Sequence, residues 1–204
     1  MLVTDDDLLA GRDPLALALS AERGGVTAVQ LRLKRATARE QVKLARMLVQ
    51  ALRIPVLLND RPDIALAAGA AGVHLGPDDV PLSLARAIAP PGFVIGASVG
   101  SAAEAVAASG ADYWGIGPWR VSGTKLDAGE ALGADGFHHL AALGGGRPCL
   151  AIGGVRLEDV ADAVAAGASG VAVVSGILRT ADAEGAASLY ARALAACLPA
   201  PARG

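Results

Sequence analysis

The stretch Pro55-Val-Leu-Leu-Asn-Asp-Arg-Pro-Asp-Ile-Ala-Leu-Ala-Ala-Gly-Ala-Ala-Gly-Val-His-Leu-Gly76 holds one period of the plan on which the whole chain is built. A continuously apolar run, Pro55-Val-Leu-Leu58, leads through an alanine-rich segment to a second short apolar run, Gly72-Val-His-Leu75. Runs without polar alternation are expected where both faces of a parallel sheet are covered. The pattern recurs in both directions, with strands expected at residues 2–4, 26–33, 55–59, 72–75, 94–98, 113–117, 149–153 and 171–175. Between them the apolar residues step by three and four, as in Val42, Ala45, Leu48 and Leu52, or Leu157, Val160, Val164 and Gly167, which is helical spacing. Eight strand–helix units of about 25 residues favour closure into an α/β fold, a single-domain (β/α)8 TIM barrel over residues 1–204, at the small end for that architecture. An open doubly wound sheet is the other arrangement that alternation allows. Its nucleotide fingerprints fail, because Gly115-Ile-Gly117 lacks a third glycine and no GxxxxGK[ST] loop exists. The Pro-rich end, residues 199–204, is expected to fray.

Composition narrows the function classes. Of 204 residues 53% are hydrophobic but only 3% aromatic, and 26 glycines and 46 alanines imply a closely packed core of small side chains, not a disordered chain. Eighteen Lys and Arg against 20 Asp and Glu leave a net charge of −2 with no basic block, which excludes nucleic acid as a natural partner. Met1-Leu-Val-Thr-Asp-Asp-Asp7 is acidic where a signal peptide starts basic. The longest uncharged runs, such as residues 163–178, fall short of the roughly 18 apolar residues of a membrane span. Cys149 and Cys197 show no CxxC spacing. A reduced, cytoplasmic chain acting on small molecules is expected, with no membrane partner and a homo-oligomer permitted.

In a parallel barrel the site forms at the carboxyl ends of the strands, and polar residues gather there. Gln30, Arg32 and Lys34 alternate with Leu31 and Leu33 and so share one side, as an anion site or as a solvated strand end. Asp60 after the third strand and Asp79 after the fourth bring two carboxylates into one mouth, a donor pair suited to Mg2+ completed by waters and phosphate oxygens. Alternatively Asp60 caps the helix that begins near Pro62, and Asp78 caps the one from about Pro81. His74 reads as a packed, hydrogen-bonded residue, and Ser98 ends the fifth strand. After the sixth strand, Gly117-Pro118 opens a long loop in which Ser122, Gly123, Thr124 and Lys125 form a candidate phosphate cradle, the alternative being an ordinary hydrophilic loop. Its length of roughly 16 residues favours a role. Gly153-Gly154 and Val174-Ser175-Gly176 end the seventh and eighth strands, where such barrels commonly bind phosphate, although glycine also serves packing. With no Ser-His-Asp or Cys-His arrangement visible, the chemistry inferred is displacement of diphosphate, its growing charge met by a metal and cations.

These residues resemble the thiamine-phosphate synthase family and its relatives, the thiazole tautomerases. The resemblance spans nearly the whole chain and is carried by Leu2-Val-Thr-Asp5, Val29-Gln-Leu-Arg-Leu-Lys34, Leu58-Asn-Asp60, Gly72-Val-His-Leu-Gly76 with Asp79, Gly115-Ile-Gly-Pro118, Ser122-Gly-Thr-Lys125, Ile152-Gly-Gly154 and Val174-Ser175. It implies an enzyme that joins an aminopyrimidine bearing a methyl diphosphate to a thiazole phosphate, by loss of diphosphate followed by capture of the pyrimidine cation by the thiazole nitrogen. It further implies that Gln30, Arg32, Lys34, Asn59, Ser98 and Lys125 contact the pyrimidine diphosphate, that Arg32, Lys34, Ser98 and Lys125 carry the catalysis, and that Asp60 and Asp79 hold Mg2+. Ser122, Gly123, Thr124, Gly154, Val174 and Ser175 would hold the thiazole phosphate. The chain departs from the family pattern at Leu33, in place of an acidic residue, at Pro77, in place of Gln, and at Ser122, often Thr. Pro118 stands where a tautomerase is expected to carry histidine, which favours the synthase. A Schiff-base aldolase using Lys125 and a non-catalytic barrel that binds phosphate ligands are the readings it displaces.

Overall fold

The computed structural model describes residues 1–121 and 130–198. Strand β1 (Leu2–Val3) is followed by α1 (Asp6–Leu9) and α2 (Pro14–Arg23), then β2 (Val29–Leu31), α3 (Ala38–Ala51), β3 (Val56–Asn59), α4 (Pro62–Ala68), β4 (Gly72–Leu75) and α5 (Leu82–Ile88). The chain continues with β5 (Val94–Val99), α6 (Ala102–Ala107), β6 (Tyr113–Ile116), α7 (Gly133–Ala142), β7 (Cys149–Ile152), a 3-10 turn (Leu157–Asp159), α8 (Val160–Ala165), β8 (Gly170–Ala172), α9 (Ser175–Leu178) and α10 (Ala183–Cys197). Neighbours in sequence are neighbours in the sheet, all parallel, from β1 to β8. A bridge between Leu2 and Val173 joins the last strand to the first, so the sheet is the closed barrel and not the open one.

Pleating sorts the strand residues into two cores. Leu2, Val29, Leu31, Leu58, Val73, Ile95, Ile116 and Val171 point outward into a layer shared with the helices, to which Ala45 and Leu48 of α3 and Phe137 and Leu140 of α7 contribute. The alternate residues face into the barrel, and toward its carboxyl end they become polar: Gln30, Asn59, His74 and Ser98. Two strands are shorter than their apolar runs. Val26 donates its N–H to Ala21 O at 3.0 Å and so finishes α2 instead of starting β2, while Arg32 N turns to the Thr4 hydroxyl at 2.7 Å. Beyond Ala172 the chain enters α9 at Ser175. The helical stripe expected from Leu157 also shifts: Leu157 lies exposed in the 3-10 turn, and Val160 and Ala163 carry the burial. Among the described residues no helix is long and apolar enough to cross a membrane. Residues 199–204 lie outside the described part.

Candidate functional site

At the carboxyl ends of the strands opens a cavity of about 380 Å³. Its first wall is built by β1 and β2. Thr4 donates its hydroxyl to Arg32 O at 3.1 Å, and Arg32 Nη1 lies 3.3 Å from Asp5 Oδ2. Asp5 caps α1 through Asp7 N and Leu8 N with its other oxygen, so one buried carboxylate both starts a helix and steers a guanidinium. Asp6 accepts from Lys34 N at 2.8 Å, which turns the chain after β2 back over the opening. Leu33, the departure from the family pattern, packs against the core and leaves Arg32 and Lys34 both on the cavity side.

The second wall carries the carboxylates. Asp60 occupies the left-handed region at φ +65°, an uncommon state for a residue other than glycine that asparagine and aspartate tolerate best. That backbone keeps Asp60 from capping α4, whose N-cap residue is Arg61 without a side-chain bond, and Asp78 does not cap α5, which begins after Pro81. Both capping alternatives are thereby set aside. Instead Asp60 Oδ2 takes Lys34 Nζ at 2.8 Å, and the Asp79 carboxyl, which also accepts from Gly76 N at 2.6 Å, meets Asp60 across the gap between β3 and β4. Burial, then the hydrogen bond to Asp60, pushes the Asp79 carboxyl above the usual carboxylate range. Two carboxylates in contact, one driven toward its protonated form, are a donor set short of a cation, and Lys34 alone supplies part of it. No group of three or more His, Cys, Asp or Glu forms a metal cage among the described residues. A pair leaving most of the coordination sphere to water and phosphate suits Mg2+ better than a metal needing a full protein cage.

The floor is laid by two hydrogen-bonded groups drawn from five strands, β2 to β6. Gln30 Nε2 donates to Asn59 Oδ1 at 2.7 Å. His74 lies 2.9 Å from the Tyr113 hydroxyl through Nδ1 and 3.0 Å from Ser98 Oγ through Nε2, the hydrogen-bonded role expected of it. On the far side Gly153 and Gly154 both take positive φ, +85° and +73°, and a Cβ on Gly153 would lie 2.8 Å from Pro118 Cα. Arg120 forks onto the buried Asp159 carboxylate, holding the exit of β6 against the exit of β7, and this pairing pulls the Asp159 carboxyl below its ordinary range. Trp119 is buried with its ring edge on Phe137, so the segment after Pro118 starts as core and not as the polar loop expected from residue 119.

Gln30, Arg32, Lys34, Asn59, Asp60, Asp79, Ser98, Gly154, Val174 and Ser175 all line the one cavity. Ser122, Gly123, Thr124 and Lys125 lie outside the described residues. Sequence reasoning missed Asp5, which lines the cavity, and Tyr113 beneath it. The signal for Asp5 was its place directly after the first strand; Tyr113 offered none, since an aromatic on a strand looks like core.

The chain matches the model of a family described as "Thiamine monophosphate synthase" over residues 1–177. It is 48% identical over 201 residues to the thiamine-phosphate synthase of Xanthobacter autotrophicus, covering 96% of this chain and 95% of that one. It is 45% identical over 191 residues to the thiamine-phosphate synthase of Methanoculleus marisnigri, covering 91% and 90%. Its fold superimposes on the thiamine phosphate pyrophosphorylase of Pyrococcus furiosus with a TM-score of 0.87 and 32% identity, covering 97% and 96%.

Proposed function

The chain belongs to the thiamine monophosphate synthase family, and from that membership we propose how its cavity works: as a transferase that couples an aminopyrimidine methyl diphosphate to a thiazole phosphate, giving thiamine phosphate and diphosphate. The observation that supports this most is the convergence of Arg32, Lys34 and the Asp60–Asp79 pair from two adjoining walls of a single cavity, opposite a glycine-lined wall that carries no charged side chain among the described residues. The charged wall suits the diphosphate. The other wall, at Gly154, Val174 and Ser175, suits the monophosphate, as would Ser122, Gly123 and Thr124.

Asp60 and Asp79 would hold Mg2+, which when bound supplies positive charge to the departing diphosphate. Lys34 is then free to act, because a half-exposed ion pair such as Lys34–Asp60 is worth only about 0–1 kcal/mol and yields readily to a diphosphate. Arg32, held by Asp5 and Thr4, offers its remaining guanidinium donors to the same group in a fixed direction. Lys125 would add a third cation. Gln30 and Asn59 present an amide pair to the pyrimidine, and Ser98 donates to the diphosphate. None of these residues needs to attack a substrate atom, since the chain only stabilises charge as the carbon–oxygen bond opens and excludes water from the cation that forms. Phosphorylated reactants and the free thiols of Cys149 and Cys197 fit a cytoplasmic setting.

The decisive assay mixes protein, Mg2+, the pyrimidine diphosphate and the thiazole phosphate. Stoichiometric release of diphosphate with thiamine phosphate is expected. Conversion of the thiazole into an isomer without coupling would overturn the reading in favour of a tautomerase.

A further inference from the structure

A relay runs from Tyr113 on β6, buried beneath the cavity, through His74 on β4 to Ser98 on β5, the last two lining the cavity itself. The barrel makes room for it with two glycines. A Cβ on Gly96 would lie 2.1 Å from Tyr113 Cζ, in overlap with the phenol, and one on Gly115 would lie 3.1 Å from His74 Cε1. Both glycines sit inside strands, where glycine costs stability relative to residues with side chains. Their φ values are not left-handed, so space for the two rings is the reason for them.

The relay has a direction. Burial pushes the Tyr113 phenol above its ordinary pKa, so it keeps its single hydrogen. Among the described residues its oxygen has one hydrogen-bond partner, His74 Nδ1. Were Nδ1 protonated, two hydrogens would face each other and the phenol's would be buried without an acceptor, a cost of about 1–3 kcal/mol. Nδ1 therefore accepts and Nε2 carries the proton, which Nε2 donates to Ser98 Oγ. With its oxygen occupied as acceptor from below, the Ser98 hydroxyl has its own hydrogen to spend, and Ser98 lines the cavity.

We propose that Tyr113 and His74 are positioning residues for Ser98, locking it as a one-way hydrogen-bond donor to the diphosphate group of the substrate. This rests on the function proposed above. Without the lock, a Ser98 hydroxyl beside an unprotonated Nε2 donates downward and presents only lone pairs to an anion, which repels it.

Three measurements test it. In protein labelled with ¹⁵N-histidine and free of ligand, long-range proton–nitrogen spectra should show the His74 proton on Nε2; a proton on Nδ1 overturns the proposal whatever the enzyme catalyses. Tyr113→Phe, checked for folding by its thermal melt, should lower kcat on the order of tenfold, the worth of one hydrogen bond to a charged group, with a smaller change in KM. In a Ser98→Ala background the same substitution should cost no more than about twofold, because the two act through one hydroxyl. A full, multiplicative loss in that background would mean that Tyr113 only supports the barrel, and would overturn the proposal. If the wild-type protein releases no diphosphate, the proposed function fails while the tautomer measurement still decides the relay.

Discussion

Asp60 shows how a single residue trades stability for chemistry. Its left-handed backbone costs about 1–2 kcal/mol relative to glycine, and its carboxylate faces that of Asp79. Against these stands the half-exposed pair with Lys34, worth about 0–1 kcal/mol. Asp60→Gly should therefore unfold at the same denaturant concentration as wild type or a higher one, by up to about 1 kcal/mol, while losing Mg2+-dependent diphosphate release. A large drop in stability would contradict this accounting. At this scale the sequence was legible where spacing decides: Gln30, Arg32 and Lys34 alternate, and alternation alone places them on one side. It was silent on the Asp60 conformation, because nothing in Asn59-Asp60-Arg61 separates a capping aspartate from a left-handed one. Tyr113 was equally hidden, since its hydroxyl acquires a partner only through the register of β4, β5 and β6.

Among elements, the joint between the exits of β6 and β7 depends on Asp159. Its buried carboxylate receives Arg120 from one segment and Arg156 N, at 2.9 Å, from its own turn. Because the Arg120 guanidinium holds the native pKa below the unfolded value, the ionised carboxylate favours folding. That contribution is complete above the unfolded carboxylate pKa of about 4 and is lost as pH falls through the lower native value. Asp159→Asn should be less stable than wild type near pH 7, with the gap between the two proteins closing under acid, as followed by urea unfolding at several pH values. The strand positions were readable from apolar runs, since parallel strands buried on both faces leave so plain a mark. Their ends were not. Val26 and Leu33 are as apolar as Val29, and only competing partners, Ala21 O for Val26 and the Thr4 hydroxyl for the residue before Leu33, remove them from the ladder.

Taken whole, the barrel should respond to its ligands as a two-part lock. On the proposed function, Mg2+ and inorganic diphosphate together would satisfy Asp60, Asp79, Arg32 and Lys34, whereas either alone would leave like charges facing each other. Together, at about a hundred times the dissociation constant, they should add about 2.7 kcal/mol of stability, a rise of roughly 5–10 °C in Tm for a chain of this size. Each alone should give a much smaller rise, and a chelator should reverse the joint effect; equal shifts with diphosphate alone would argue against a metal at the carboxylate pair. Eight repeats of strand and helix made the closed barrel the natural reading, and the Leu2–Val173 bridge, a contact across almost the whole sequence, is what distinguishes it from an open sheet. That bridge also sets an order of events. Of the eight strands, β1 leaves the ribosome first and its partner β8 last, so during synthesis the growing sheet has two raw edges and its inner polar row stands in water. The rim that would seat both reactants is complete only when the final strand arrives, and a nascent chain halted short of it carries the residues proposed for the diphosphate but lacks Val174 and Ser175, proposed for the monophosphate.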